Sequence, residues 1–316
     1  MLGAIYAIAK YLEEYFEISC DNLRYDMLLS ALKNKPPVTF VTATDGNHGK
    51  AVSRAAKLFN QNAIVFLPKG SAKARLEAIL AEGANASILD LNYDQAVEYV
   101  ANLAKENNYV LIQDTALDNY SIIPTNIMKG YQTIVFELVK QLNKNVTHVF
   151  LQAGVGSFAS SFINAFINLF DYKPKFIIIE PQNANCYFNS AKSNGDHPER
   201  VTGDLHTIMA GLACGEPNPI AYPIIKNNAC CYLSVNDFIA ELGMKTLAYP
   251  LGDDLEIKAG ESGCVGIGVI NELMLNKKYA HARERLNLNS ESIALVVNTE
   301  GVTDPKNYYK IVNKKN

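Results

Sequence analysis

The chain has 316 residues, 48% hydrophobic and 19% charged, enough apolar surface for about two packed domains and too much for a disordered chain. Lys and Arg total 29 against 32 Asp and Glu, a net charge of −3, which offers no basic field to nucleic acid or an anionic membrane. No stretch approaches the ~20 apolar residues a membrane span needs, so neither nucleic acid nor membrane is expected as a partner.

The apolar start, residues 1–9, runs directly into Lys10, Glu13 and Glu14 with no basic region ahead of it. It reads as a helix and not as a signal peptide. Strands are predicted at 38–42, 63–67, 86–91, 109–113, 147–152, 176–180 and 293–298. Amphipathic helical stretches lie between them at 49–59, 72–82, 93–106 and 125–142. Continuous apolar centres at 149–151 and 176–179 suit parallel strands covered on both faces. The alternation predicts an α/β fold with right-handed crossovers. The first four strands make one sheet and the later ones a second, larger sheet, with the polar segment 141–147 as the crossing point. Pro217, Pro219 and Pro223 mark a loop-rich region in the second half. Six scattered cysteines (Cys20, Cys186, Cys214, Cys230, Cys231, Cys264) form no CxxC pair, so buried thiols are expected, with no zinc site and no disulfide scaffold.

Three loops stand at carboxyl ends of predicted strands, the edge where open α/β sheets bind ligands. Thr44-Asp45-Gly46-Asn47-His48-Gly49 gathers two glycines, an amide, a carboxylate and an imidazole before a helix. It reads either as a binding turn or as a helix start capped by Asp45 or Asn47. Gly154-Val155-Gly156-Ser157 precedes a helix starting near Phe158, and glycines there let backbone N–H groups approach a phosphate. Ala159-Ser160-Ser161 follows where the dinucleotide fingerprint has a third glycine, and no Gly-Lys-Thr or Gly-Lys-Ser occurs. A single phosphate fits better than a pyrophosphate, and a turn without ligand is the alternative. Asn298-Thr299-Glu300-Gly301 follows the last strand, while Asp114 and Glu180 also end strands; each is a ligand contact or a cap.

Together these residues resemble the pyridoxal-phosphate enzymes of the tryptophan-synthase-β type (fold type II), and within them the diaminopropionate ammonia-lyases. The carriers are Thr44–Gly49 (TDGNHG), Gln113-Asp114-Thr115-Ala116, Gln152–Gly156 (QAGVG), Thr207–Pro219 (TIMAGLACGEPNP), Gly260–Gly268 (GESGCVGIG) and Thr299-Glu300-Gly301. The thirteen-residue block ending at Pro219 is the most specific of them. The resemblance implies two three-layer α/β domains. Residues 40–145 would form a small cofactor and substrate-lid domain, and 1–39 plus 146–316 a large domain binding pyridoxal 5′-phosphate. It places Asn47 on the cofactor's 3′-oxygen, Gly154, Val155, Gly156 and Ser157 on its phosphate, and Thr299 at the pyridine nitrogen. Serines 160 and 161, where relatives commonly have glycine, can still donate to phosphate. Asp45 and Asp114 would be the acid/base carboxylates, with no metal required.

The implied reaction is α,β-elimination of ammonia from 2,3-diaminopropionate, a small amino-acid substrate, giving pyruvate and a second ammonia. Both enantiomers are accepted, so bases stand on opposite faces, Asp45 for the D-isomer and a lysine for the L-isomer. A cytoplasmic homodimer is expected. The family's Schiff-base lysine sits in a Phe-Lys-x-Leu-Gly-type segment opening the first helix, and this sequence begins Met1-Leu2-Gly3-Ala4, just after that position. The expectation is therefore either a fragment of an active enzyme or a shortened, inactive paralogue with a binding role. A serine or threonine dehydratase on the same fold is the other alternative; the 207–219 block and the paired Asp45 and Asp114 argue against it. Cys186 precedes that block and Cys214 lies within it, so the two are candidates to approach each other, as a disulfide or as reduced thiols.

Overall fold

The first four predicted strands become one parallel sheet in the computed structural model, which describes residues 1–19, 24–44, 46–116, 119–193 and 197–314. They are β1 (Thr39–Ala43), β2 (Asn62–Leu67), β3 (Asn85–Ile88) and β4 (Val110–Leu111), in the order β3-β2-β1-β4. Val41 lies in register with Ile64 on one side and Leu111 on the other. Helices α1 (Leu2–Tyr15), α2 (Tyr25–Leu32), α3 (Asn47–Leu58), α4 (Lys73–Ala81), α5 (Tyr93–Asn107) and α6 (Ile122–Tyr131) belong to the same unit, Met1–Ile134. Strand alternation turns Phe40 to one face, in a core with Ala7, Ile8 and Leu12 of α1 and Val52 and Ala55 of α3. It turns Val41 and Ala43 to the other, with Ala96, Val97 and Val100 of α5. Three layers result.

Residues 1–39 were expected with the later sheet, and the structure corrects this. The apolar face of α1 is buried against α3, α6 and the first sheet, so the segment belongs to the first unit. The boundary also moves. It falls between Ile134 and Val135, inside α7 (Thr133–Val139) and ahead of the polar segment 141–147. The predicted helix 125–142 is thus two helices that part at Gln132.

The second unit, Val135–Asn316, repeats the topology. Strands β5 (His148–Gln152), β6 (Lys175–Pro181), β7 (Ala229–Val235) and β8 (Ala294–Val296) are parallel in the order β7-β6-β5-β8. Every residue of β5 is buried, as a sheet covered on both faces requires. The covering helices are α8 (Ser157–Leu169), α9 (Cys186–Ser193), α10 (Ala221–Asn228), α11 (Asp237–Ala248), α12 (Glu261–Leu275), α13 (Ala280–Leu286) and α14 (Pro305–Val312). Phe166 of α8 meets Phe176 edge-on at 5.8 Å, while Phe150, Ile177 and Ile179 share a core with Ile239 of α11 and Val265 and Val269 of α12. Pro217 and Pro219 lie in the expected loop-rich region, whereas Pro223 falls within α10, and β7 follows that helix where no strand was expected. As an edge strand, β7 is mostly half-buried and lacks the continuous apolar centre that marked β5 and β6. No described helix is long and apolar enough to cross a membrane.

Helices α11 and α12 cross at glycines. A Cβ on Gly268 would stand 1.9 Å from the Ile239 carbonyl oxygen, and one on Gly243 would stand 2.4 Å from that of Cys264. Gly268→Ala gains about 1 kcal/mol of helix propensity. Overpacking against rigid backbone costs about 3 kcal/mol and wins. The variant is expected to unfold at clearly lower urea; an unchanged or raised midpoint would contradict this close crossing.

Candidate active site

In both sheets the strand order reverses beside the unit's first strand: β1 lies between β2 and β4, and β5 between β6 and β8. Loops leaving neighbouring strands diverge at such a point and open a crevice at the carboxyl edge. The loops at 44–49, 113–116, 154–157 and 298–301 all leave strands that flank these two points.

In the first unit, the buried Thr44 hydroxyl accepts from the N–H groups of Gly46 (3.0 Å) and Gly49 (3.1 Å). Thr44 therefore tethers the start of α3, whose N-cap position is Gly46 and not Asn47. Asn47 is the exposed first helical residue. Asp45 lies outside the described residues. His48 has Nε2 at 2.8 Å from the Ile112 carbonyl, so Nε2 carries the proton and joins α3 to the end of β4. Gln113 is fully buried. Its oxygen accepts from the Thr42 hydroxyl (3.1 Å) and Ala43 N–H (3.2 Å), and its nitrogen donates to the Ala43 carbonyl (3.1 Å) and Tyr93 hydroxyl (3.0 Å). One amide thus closes the switch point between β1 and β4 without leaving a buried group unsatisfied. Asp114 follows, half-buried, with the Tyr93 hydroxyl 3.4 Å from Oδ1.

The second unit uses the same device. The Gln152 amide donates to the Val297 carbonyl (2.9 Å) and to the Thr299 hydroxyl oxygen (3.0 Å). Thr299 accepts there, so its own proton remains for an acceptor beyond the sheet edge. In the loop after β5, the N–H groups of Gly154, Val155 and Gly156 have no acceptor among the described residues. Gly156 has φ +89, a left-handed conformation that suits glycine, and it caps the 13-residue helix α8. Backbone donors at a helix N-terminus, two of them on buried residues, form an anion cradle. The cradle fits the single phosphate expected from the sequence.

The 207–219 block forms the wall behind this loop. Gly154 leaves room for Cys214 Sγ, which would stand 3.1 Å from a Cβ there, and Gly211 N–H donates to Ser262 Oγ at 3.1 Å. Asn218 donates its N–H to the Val155 carbonyl (2.8 Å) and its Nδ2 to Ser157 Oγ (2.8 Å). Tyr187 and Asn218 are supports that sequence reasoning missed, because their partners lie 32 and 61 residues away. The two glutamines did leave a signal, since each opens a quoted motif at a strand end.

Four readings change or narrow. Ser160 and Ser161 donate to the Ser157 carbonyl at 3.2 and 2.5 Å, so their hydroxyls serve helix α8 and not an anion. Glu180 is a cap: it accepts the N–H groups of Tyr187 (2.8 Å) and Phe188 (2.7 Å) at the start of α9. Glu300 does the same for Ser262 N–H of α12 at 2.8 Å. Cys186 and Cys214 are buried, and no disulfide joins them. Burial, then the adjacent Glu180 carboxyl, push the Cys186 thiol well up, which keeps it protonated.

The family described as pyridoxal-phosphate dependent enzyme matches residues 23–282. Diaminopropionate ammonia-lyase of Salmonella typhimurium is 44% identical over 98% of this chain and 79% of that protein. The Escherichia coli K12 protein of the same description is 42% identical over 99% of this chain and 78% of its own length. The solved structure of holo diaminopropionate ammonia lyase from Escherichia coli superposes with a TM-score of 0.90 at 38% identity, covering 98% of this chain and 78% of that one.

Proposed function

Because this chain belongs to the pyridoxal-phosphate-dependent enzymes and, within them, to the diaminopropionate ammonia-lyases, we propose that it eliminates ammonia from D- and L-2,3-diaminopropionate to give pyruvate. The reading is carried by one observation: the loops that resemble the family's contacts leave strands flanking the switch points of both sheets. Pyridoxal 5′-phosphate, when bound, supplies the electron sink that acidifies the substrate's α-proton.

The chain's own residues take the remaining parts. Gly154, Val155, Gly156 and Ser157 hold the phosphate with backbone N–H groups and the α8 dipole. Thr299, its oxygen already accepting from Gln152, donates its proton to the pyridine nitrogen. A neutral hydroxyl there makes a weaker sink than a carboxylate, which suits elimination. Asn47 bonds the 3′-oxygen. Asp45 takes the α-proton of the D-isomer, and Asp114 serves the leaving ammonia or the substrate's amino group. A lysine on the opposite face serves the L-isomer. We take the first unit, Met1–Ile134, as the one that carries Asn47 and the two carboxylates, and the second as the one that carries the phosphate loop and Thr299. A cytoplasmic homodimer is the form this family relation supports.

The test is made on the protein carrying the family's lysine-bearing Phe-Lys-x-Leu-Gly segment, where both isomers should yield pyruvate. In that background Asp45→Asn should lower D-isomer turnover by about 10²-fold or more and spare much of the L-isomer rate, while Asp114→Asn damages both. Equal losses for both isomers in Asp45→Asn would remove the facial assignment. Turnover of serine or threonine without diaminopropionate would overturn the lyase reading.

A further inference from the structure

The loop after β5 cannot hold an anion unless its N–H groups point away from the protein interior, and the structure shows what turns them. In a trans peptide the Val155 carbonyl and the Gly156 N–H point in opposite directions. The Val155 carbonyl is held inward by two donors, the Tyr187 hydroxyl at 2.9 Å and the Asn218 N–H at 2.8 Å. Both donors are buried, Tyr187 at 1% and Asn218 at 0% exposure. We propose that Tyr187 and Asn218 are positioning residues for the phosphate: by clamping the Val155 carbonyl they aim the Gly156 N–H into the cradle. This rests on the reading of residues 154–157 as the phosphate loop.

The clamp is itself anchored. Tyr187 N–H donates to Glu180 Oε1 at 2.8 Å, and its ring sits 6.1 Å from that of Tyr222 on α10. Its hydroxyl lies where any Cβ on Gly156 would be, 2.0 Å away, so glycine is what allows the loop and the phenol to meet. Burial pushes the Tyr187 phenol well up, which keeps it in the form that donates. Asn218 adds a second tie, through Nδ2 to Ser157 Oγ at 2.8 Å, and accepts the Ile220 N–H at 3.0 Å to fix its own amide.

Tyr187→Phe removes one donor and keeps the ring, so the packing around Gly156 survives. The readout is the binding of pyridoxine 5′-phosphate against pyridoxine, which share the ring and differ in the phosphate; neither carries an aldehyde, so no covalent bond to a lysine enters. Wild type should prefer the phosphorylated form. The variant should bind pyridoxine 5′-phosphate about five- to tenfold more weakly, the loss of one hydrogen bond, with pyridoxine unchanged. Asn218→Ala, which keeps the backbone donor and removes the bond from Nδ2 to Ser157 Oγ, should show a smaller loss of the same kind. Full phosphate preference in Tyr187→Phe, with or without lower thermal stability, would make the hydroxyl a structural bond only and overturn the proposal. Equal binding of both forms by wild type would instead overturn the phosphate loop, and the clamp with it.

Discussion

Gly156→Asp is expected to abolish binding of pyridoxine 5′-phosphate and to destabilise the second unit. Three effects add. The residue holds φ +89, where a side chain is strained. Its Cβ would stand 2.0 Å from the Tyr187 hydroxyl and 2.6 Å from the ring carbon bearing it, so the buried tyrosine must move. The carboxylate would also compete for the N–H groups that an anion needs, setting like charge against phosphate. Strain and overpacking together cost about 3 kcal/mol of stability, and an unpaired buried charge removes several more from phosphate binding. Gly156→Ala carries the strain and the clash without the charge, so comparing the two variants separates them. Equilibrium dialysis and urea unfolding read the two quantities. Unchanged affinity for the phosphorylated ligand in Gly156→Asp would remove residues 154–157 from the site.

The α/β class was legible because parallel strands covered on both faces must be apolar throughout, as Val149–Leu151 and Phe176–Ile179 are. The loops stood out because glycines and polar residues gather at the ends of such strands, where a ligand contact and a helix cap look alike in sequence, and Glu180 and Glu300 are caps. The allegiance of α1 was not legible. Amphipathic spacing says that a helix buries one face and is silent on which sheet receives it, and here Ile8 and Leu12 share a core with Phe40. Strand β7 escaped for a related reason: at the edge of a sheet, Ala229–Val235 needs no continuous apolar run. The 207–219 block was recognisable as a motif without being interpretable. Its meaning is spatial, since Gly211, Cys214 and Asn218 matter through Ser262, Gly154 and Val155. Long-range partners of this kind leave no local signature.

Replacing Glu180 with Gln is expected to remove a pH-dependent part of the stability. Glu180 lies in β6, fully buried, and receives two backbone N–H groups from the start of α9. Those bonds favour the ionised form, yet burial outweighs them and pushes the group up from 4.5 to about 8. The folded chain therefore keeps a proton that the unfolded chain releases above 4.5. The stabilisation is complete below 4.5, declines as pH rises, and is lost once pH passes about 8. The slope is at most about 1.4 kcal/mol per pH unit, the value for one proton. Its neighbours cannot mimic it. Burial pushes Cys186 and Tyr187 well up and Tyr232 to about 12, so all three stay neutral across the window. Gln keeps the size and can accept from one N–H while turning its NH₂ towards the other, so the variant starts out less stable. The gap between wild type and Glu180→Gln should then narrow by about 1.4 kcal/mol at most for each pH unit raised towards the upper limit, as read by urea unfolding at stepped pH. Parallel curves, or a gap that widens as pH rises, would show an ionised carboxylate in the fold.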